Sequence, residues 1–211
     1  MRNKFNLKWH DPLADGDRRM RAYFAYAEFS IVLLLALSLG IALFFFVDHS
    51  QDTTSKEIIA SHFSKPFSNV NSFFDVLWII IKTSLADIVP LLLLYAFAYS
   101  RAFPVVAGGI FVYKGVIFGY SSSFLGYKTA ASDSLLDNIA LLFFLDVLVK
   151  LAVINVLIWA ASNLFADPIK AKKPSENAKL ILSKSTICAI SIGSVLTIQI
   201  LYSLILQLIC K

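Results

Sequence analysis

Hydrophobic residues occupy this chain in five long runs that are separated by short polar segments. Each run has about 20 residues or more, which is enough for a helix to cross about 30 Å of hydrocarbon at about 1.5 Å per residue. We therefore predict an all-α fold, a polytopic transmembrane helical bundle with about five spans, in which residues 25–211 form a single membrane domain. The predicted spans are 25–47, 76–99, 103–125, 139–164 and 186–209.

The third run carries a stripe of small residues along one side. At about 100° per residue, the members of the stripe fall within about 60° of one another. Small residues let membrane helices approach closely, and Gly115-x-x-x-Gly119 is the minimal form of this arrangement. The stripe is therefore a predicted helix-packing face, either for another span of the same chain or for a partner protein. Its members are Gly108, Gly115, Gly119, Ser122 and Gly126.

Only a short turn around Arg101 and Pro104 separates the second and third spans, so these two helices are expected to form a tight hairpin. The third span is thereby tied to the span that holds Asp87. We therefore expect the nearest partner of the small-residue stripe to lie in its own chain. Whether part of that face stays uncovered for another protein is left open by the sequence.

Ionisable residues interrupt three of the apolar runs. A charged side chain at the centre of a membrane helix costs about 2.5–3.5 kcal/mol on the insertion scale, so these residues need partners. Asp146 and Lys150 are four positions apart and can pair on one helical face. Asp87 and Lys114 lie at similar depth on the two spans of the hairpin. We expect structural pairing, with an ion or proton path and contact with a partner protein as the alternatives. The full set is Lys82, Asp87, Lys114, Asp146 and Lys150.

The composition agrees with a protein that is built around the bilayer. Of the 211 residues, 58% are hydrophobic and 16% are charged, against about 45–50% apolar and about 25% charged in ordinary globular domains. The polar segments between the runs are short. The chain therefore has no room for a separate soluble catalytic domain.

The basic residues predict the orientation, because cytoplasmic loops of membrane proteins carry an excess of Lys and Arg. Twelve of them fall on one predicted side, in the N-terminal segment, the turn between the second and third spans and the predicted loop 166–185, against four on the other side. We expect the N-terminus inside, with residues 1–24 as a basic cytoplasmic segment, and the C-terminus outside. The same basic residues attract anionic lipid. The net charge of +5 is therefore explained without a nucleic-acid partner, and we expect none. The twelve are Arg2, Lys4, Lys8, Arg18, Arg19, Arg21, Arg101, Lys170, Lys172, Lys173, Lys179 and Lys184.

No pattern in the sequence favours an enzyme. His10, His49 and His62 all lie outside the predicted spans, and there is no H-E-x-x-H zinc pair. The serines at 121–123 have no histidine beside them to act as a base. A phosphate-binding loop is also missing. We therefore expect no catalytic residue, no metal site and no cofactor.

Two segments carry a resemblance to a known family. Residues 72–77, SFFDVL, open the second span, and residues 113–121, YKGVIFGYS, form the centre of the third. With an N-terminal anchor, a polar outer loop and a short cytoplasmic turn in the same order, the chain resembles the stage II sporulation protein M family. The second span departs from many members of that family because it has Lys82 and Pro90 where they carry glycines.

The resemblance implies a multi-pass protein of the bacterial cytoplasmic membrane that has no enzymatic activity. Such a protein assembles partner membrane proteins or a cell-wall hydrolase complex, and a homo-oligomer is also compatible with this role. Two other functions stay open. One is a secondary transporter or permease subunit that uses the intramembrane Asp and Lys residues. The other is a component for the export of membrane-active peptides or for immunity to them.

Overall fold

The computed structural model describes residues 18–46, 73–130, 136–167 and 174–209, and within these ranges the chain is helical except at 98–102 and 167. The all-α prediction is therefore confirmed for the described residues. The first seventeen residues of the predicted cytoplasmic segment lie outside them. The helices are α1 (Arg18–Phe46), α2 (Phe73–Phe97), α3 (Phe103–Ala130), α4 (Leu136–Ala166) and α5 (Pro174–Ile209).

Four of these helices, α1, α3, α4 and α5, are long and apolar enough to cross a membrane. In α2 the apolar stretch found among the described residues, Ser84–Phe97, is shorter than a full span. Large apolar side chains cover the outside of the bundle, including Leu35 at 68% and Phe45 at 77% exposure. In a water-soluble protein such a surface would be an aggregation hazard, whereas against lipid it carries no penalty.

Four of the five helices begin earlier than the hydropathy predicts, and α1 and α5 do so by the widest margins. Helix α1 starts at Arg18, before the predicted span, and α5 starts at Pro174 inside the segment 166–185 that was predicted to be a loop. Apolar runs mark only the part of a helix that lies in hydrocarbon, while proline is well suited to the first helical position. The assignment of Lys179 and Lys184 to a loop is therefore wrong, because both lie on α5.

The packing order differs from the order along the chain. Helix α1 packs most extensively against α3 and also contacts α4, while α5 packs against α4 and α2. At the centre of the core, the rings of Phe29 on α1 and Phe111 on α3 are 5.2 Å apart. Leu157 of α4 belongs to the same cluster and is fully buried. The first and third helices thus form the closest pair of the bundle, although they are not neighbours in sequence.

Glycines on both helices bring the backbones of α1 and α3 together. A Cβ added at Gly115 would lie 2.7 Å from the Cβ of Ala36 and 2.9 Å from the carbonyl oxygen of Leu33. One added at Gly119 would overlap the carbonyl oxygen of Leu37, and one at Gly40 would overlap the carbonyl oxygen of Val116. Since backbone atoms cannot yield as a flexible side chain can, these three positions need glycine.

The rest of the small-residue stripe lies differently. A Cβ at Gly108 would meet nothing within 4 Å, and one at Gly126 would make an ordinary 3.5 Å contact with the ring of Phe143. The hydroxyl oxygen of Ser122 is buried. The stripe is therefore divided into a central part that α1 covers and an open end at Gly108.

We predict that Gly119→Ala destabilises the protein by about 1–3 kcal/mol, the usual cost of overpacking. The added methyl group would force α1 and α3 apart at Leu37. Gly109→Ala is the matched control, because it makes the same change in the same helix where nothing lies within 4 Å. The measurement is the unfolding free energy in detergent micelles. Equal stability of the two variants would contradict the close α1–α3 contact.

Candidate functional site

A proline inside α2 determines the chemistry at the centre of the bundle. Pro90 lies within the helix and is buried. Proline has no backbone N–H, so the carbonyl four residues earlier loses its usual helical donor. That carbonyl belongs to Ala86. In hydrocarbon an unsatisfied carbonyl costs several kcal/mol, and a neighbouring helix has to supply the missing donor.

Lys114 of α3 supplies that donor. Its Nζ donates to the carbonyl oxygen of Ala86 at 3.0 Å and to Oδ1 of Asp87 at 2.7 Å. The two charged side chains are only 15% and 19% exposed. One ammonium group therefore satisfies the carbonyl that Pro90 leaves open and neutralises the adjacent carboxylate.

The second carboxylate oxygen of Asp87 is bound by α5. Nε2 of Gln199 donates to Oδ2 of Asp87 at 3.1 Å, and Gln199 is 9% exposed. The cluster of Asp87, Lys114 and Gln199 thus joins α2, α3 and α5. Both oxygens of the carboxylate have donors, as a charged group in a medium of low dielectric constant requires.

A second ion pair lies on α4 and is also bound by α5. Nζ of Lys150 is 2.6 Å from Oδ2 of Asp146, which is four residues earlier on the same helix. The hydroxyl of Tyr202 donates to Oδ1 of Asp146 at 3.1 Å. Because Gln199 and Tyr202 are three residues apart, they share one face of α5. A single helical face therefore donates to both intramembrane carboxylates.

Nearer its N-terminus, α5 buries a lysine. Lys184 is fully buried, and its Nζ donates to the carbonyl oxygen of Ala98, just after the last residue of α2. Carbonyls at a helix C-terminus have no intrahelical donor, so Lys184 caps α2. The same Nζ lies 4.6 Å from the ring centre of Tyr99. A tyrosine ring is neutral near pH 7, so this contact is a cation–π interaction.

Polar side chains close this end of the bundle around Asp167, which follows α4. Nε of Arg18 lies 2.7 Å from Oδ1 of Asp167, and Oγ of Ser183 donates to Oδ2 at 3.2 Å. Arg18 is on α1 and Ser183 is on α5, so Asp167 ties three helices together. The hydroxyls of Tyr95 and Ser185 are 2.9 Å apart and add a link between α2 and α5.

The structure brings four of the five predicted intramembrane charges into two pairs, while the side chain of Lys82 lies outside the described residues. Sequence reasoning missed Gln199 and Tyr202 because hydropathy treats them as part of an apolar run. It also counted Lys184 as a loop residue. A helical plot indicates this face, since Lys184, Ser191 and Gln199 follow one another at intervals of 7 and 8 residues, each about two helical turns. That face of α5 is buried and carries these polar side chains among apolar ones such as Val195.

Comparisons with known proteins add no relative. No family model matches the chain, and neither a curated protein nor a solved structure is similar to it. The resemblance to the stage II sporulation protein M family therefore stays a prediction that rests on the residues quoted above.

We predict that Lys114→Met lowers the unfolding free energy by about 3–5 kcal/mol, the usual cost of leaving one partner of a buried ion pair unpaired. The double variant Asp87→Asn with Lys114→Met removes both charges but keeps an oxygen and an amide near Gln199. We expect it to recover more than half of the loss. The measurement is chemical unfolding in micelles. A double variant as unstable as the single variant would contradict the pairing.

Proposed function

We propose that this chain is a non-enzymatic protein of the bacterial cytoplasmic membrane, oriented with its N-terminus inside and its C-terminus outside, that assembles other proteins. The observation that carries the proposal is that both intramembrane carboxylates are fully bound by donors within the bundle. Asp87 and Asp146 each bind a lysine and, in addition, a donor from α5. These charges hold helices together, which is the chemistry of a stable platform.

Transport is the second candidate, and one observation favours it. Both carboxylates contact the same face of α5, and Lys150 is one-third exposed. A transporter, however, binds its ion or substrate in the middle of the bundle and releases it as parts of the bundle rock. The cluster of Asp87, Lys114 and Gln199 joins α2, α3 and α5 and opposes such movement, because breaking a buried ion pair is costly. The geometry therefore supports an assembly role better.

The central part of the small-residue stripe is already covered by α1, so a partner helix needs another surface. The open end of the stripe meets this need, since an added Cβ meets nothing within 4 Å at Gly108 or Gly109. We place the partner contact there. The family resemblance gives the partner class, namely other membrane proteins or a cell-wall hydrolase complex, with a second copy of the chain as a further candidate.

We predict that a photocrosslinking amino acid at Gly109 captures a distinct partner protein in living cells. The matched control is the same amino acid at Ile31, a residue of α1 that is 58% exposed and outward-facing. Adducts are purified through a tag on the full chain and identified by mass spectrometry. We expect an adduct from position 109 and none of that identity from position 31.

Identical adducts from both positions, or no adduct at all from position 109, would contradict the assembly role. Flux provides the independent comparison with transport. Vesicles containing the wild type and the Asp146→Asn variant are expected to leak ions and protons equally. Flux that the wild type supports and the variant lacks would establish transport in place of assembly.

A further inference from the structure

A cleft opens between the first turns of α1 and the last turns of α4, at the end of the bundle that Asp167 closes. Its volume is about 770 Å³. We refer to it as the α1–α4 cleft. Its wall combines basic, aromatic and amide side chains, chiefly those of Arg18, Arg19, Tyr23, Tyr26, Trp159 and Asn163. None of the ion pairs at the centre of the bundle uses these residues.

Two guanidinium groups line the cleft, those of Arg18 and Arg19. Arg18 binds Oδ1 of Asp167 through Nε and donates to Oγ of Ser183 through Nη2 at 3.4 Å. A guanidinium carries five N–H donors, so these two bonds orient Arg18 and leave further N–H donors for a ligand. The side chain of Arg18 is 49% exposed. Guanidinium groups suit phosphate because their planar fork matches its oxygens.

The aromatic side chains place the cleft at the boundary between water and lipid. Tyr23 is 72% exposed and Trp159 is 39% exposed. Such amphipathic rings are enriched at the headgroup level of bilayers, where one end is apolar and the other is hydrated. The hydroxyl of Tyr26 donates to Oδ1 of Asn155 at 2.7 Å, which holds α1 and α4 together beneath the opening.

Below the cleft, the outside of the bundle becomes apolar along the same helical faces. Leu34 follows Tyr23 by eleven residues, or about three turns, and Leu148 precedes Trp159 by the same interval. These two leucines are 60% and 46% exposed. An acyl chain that hangs from a headgroup in the cleft would therefore lie on apolar surface. A soluble phosphate compound would gain nothing from it.

We propose that the α1–α4 cleft binds the phosphate of an anionic phospholipid, with Arg18 and Arg19 on the headgroup and the acyl chains along Leu34 and Leu148. Basic pockets between membrane helices are an established way to bind such headgroups. The site is independent of the assembly role proposed above. It deals only with how the bundle contacts its own bilayer.

Trp159 provides the measurement. In the full chain carrying Trp9→Phe and Trp78→Phe, it is the single remaining tryptophan. The protein is reconstituted in phosphatidylcholine vesicles that contain a minor fraction of brominated phosphatidylglycerol or brominated phosphatidylcholine. Bromine quenches a tryptophan that it contacts. We expect the anionic lipid to quench Trp159 more strongly at the same fraction, and this preference to fall as salt is added.

Arg19→Gln should reduce the preference about fivefold, which corresponds to about 1 kcal/mol for one basic residue near anionic lipid. Arg19 is exposed on α1, so folding should survive the change. Arg101→Gln is the matched control, because Arg101 is an exposed arginine of the α2–α3 turn at the same end of the bundle and does not line the cleft. This variant should keep the full preference.

Three results would overturn the proposal. The first is equal quenching by the two brominated lipids. The second is an equal loss of preference in the Arg19 and Arg101 variants, which would show a general attraction of the basic surface. The third is relief of quenching by inorganic phosphate at constant ionic strength, which would assign the cleft to a soluble phosphate compound. If Arg19→Gln does not fold, the lipid comparison and the salt titration on the parent protein decide the question.

Discussion

The contact between Lys114 and α2 is the interaction on which the centre of this bundle depends. Pro90 removes a backbone donor from the middle of a helix in an apolar environment. The ammonium group of Lys114 replaces it at the carbonyl of Ala86 and at the same time neutralises Asp87. A membrane helix can keep a proline only if its neighbours satisfy the freed backbone group. The lysine, the aspartate and the proline therefore form one structural unit.

Helix α5 also supplies hydrogen-bond donors to buried acceptors, at several positions along the bundle. Its buried face donates to Asp87 through Gln199, to Asp146 through Tyr202 and to the end of α2 through Lys184. In water these polar groups could form hydrogen bonds with solvent instead of with the protein, whereas hydrocarbon offers no hydrogen-bond partner. The polar face thus gives α5 a single position against α2 and α4. These bonds between helices also favour the proposed assembly role over transport, since the charged side chains already bind partners within the bundle.

Much of this architecture is predictable from the pattern of residues, and the exceptions have physical causes. Apolar runs locate the helices, because length and hydropathy report directly on the hydrocarbon they cross. The stripe around Gly115 and Gly119 shows that a backbone approaches closely, but periodicity does not say which helix makes the approach. The short turn points to α2, whereas the glycines contact α1. Lys184 was placed in a loop because a charged residue ends an apolar run even when the helix continues.

The most direct test of the account is a double-mutant cycle between Pro90 and Lys114, measured as unfolding free energy in micelles. Pro90→Ala adds a backbone N–H at position 90, which can donate to the carbonyl of Ala86. The helix then no longer needs the bond from Lys114 to that carbonyl. Lys114→Met should then cost less in the Pro90→Ala background than in the wild type, by about 1–3 kcal/mol, the cost of leaving a buried acceptor without a donor. The same cost in both backgrounds would contradict the claim that Lys114 compensates for the proline.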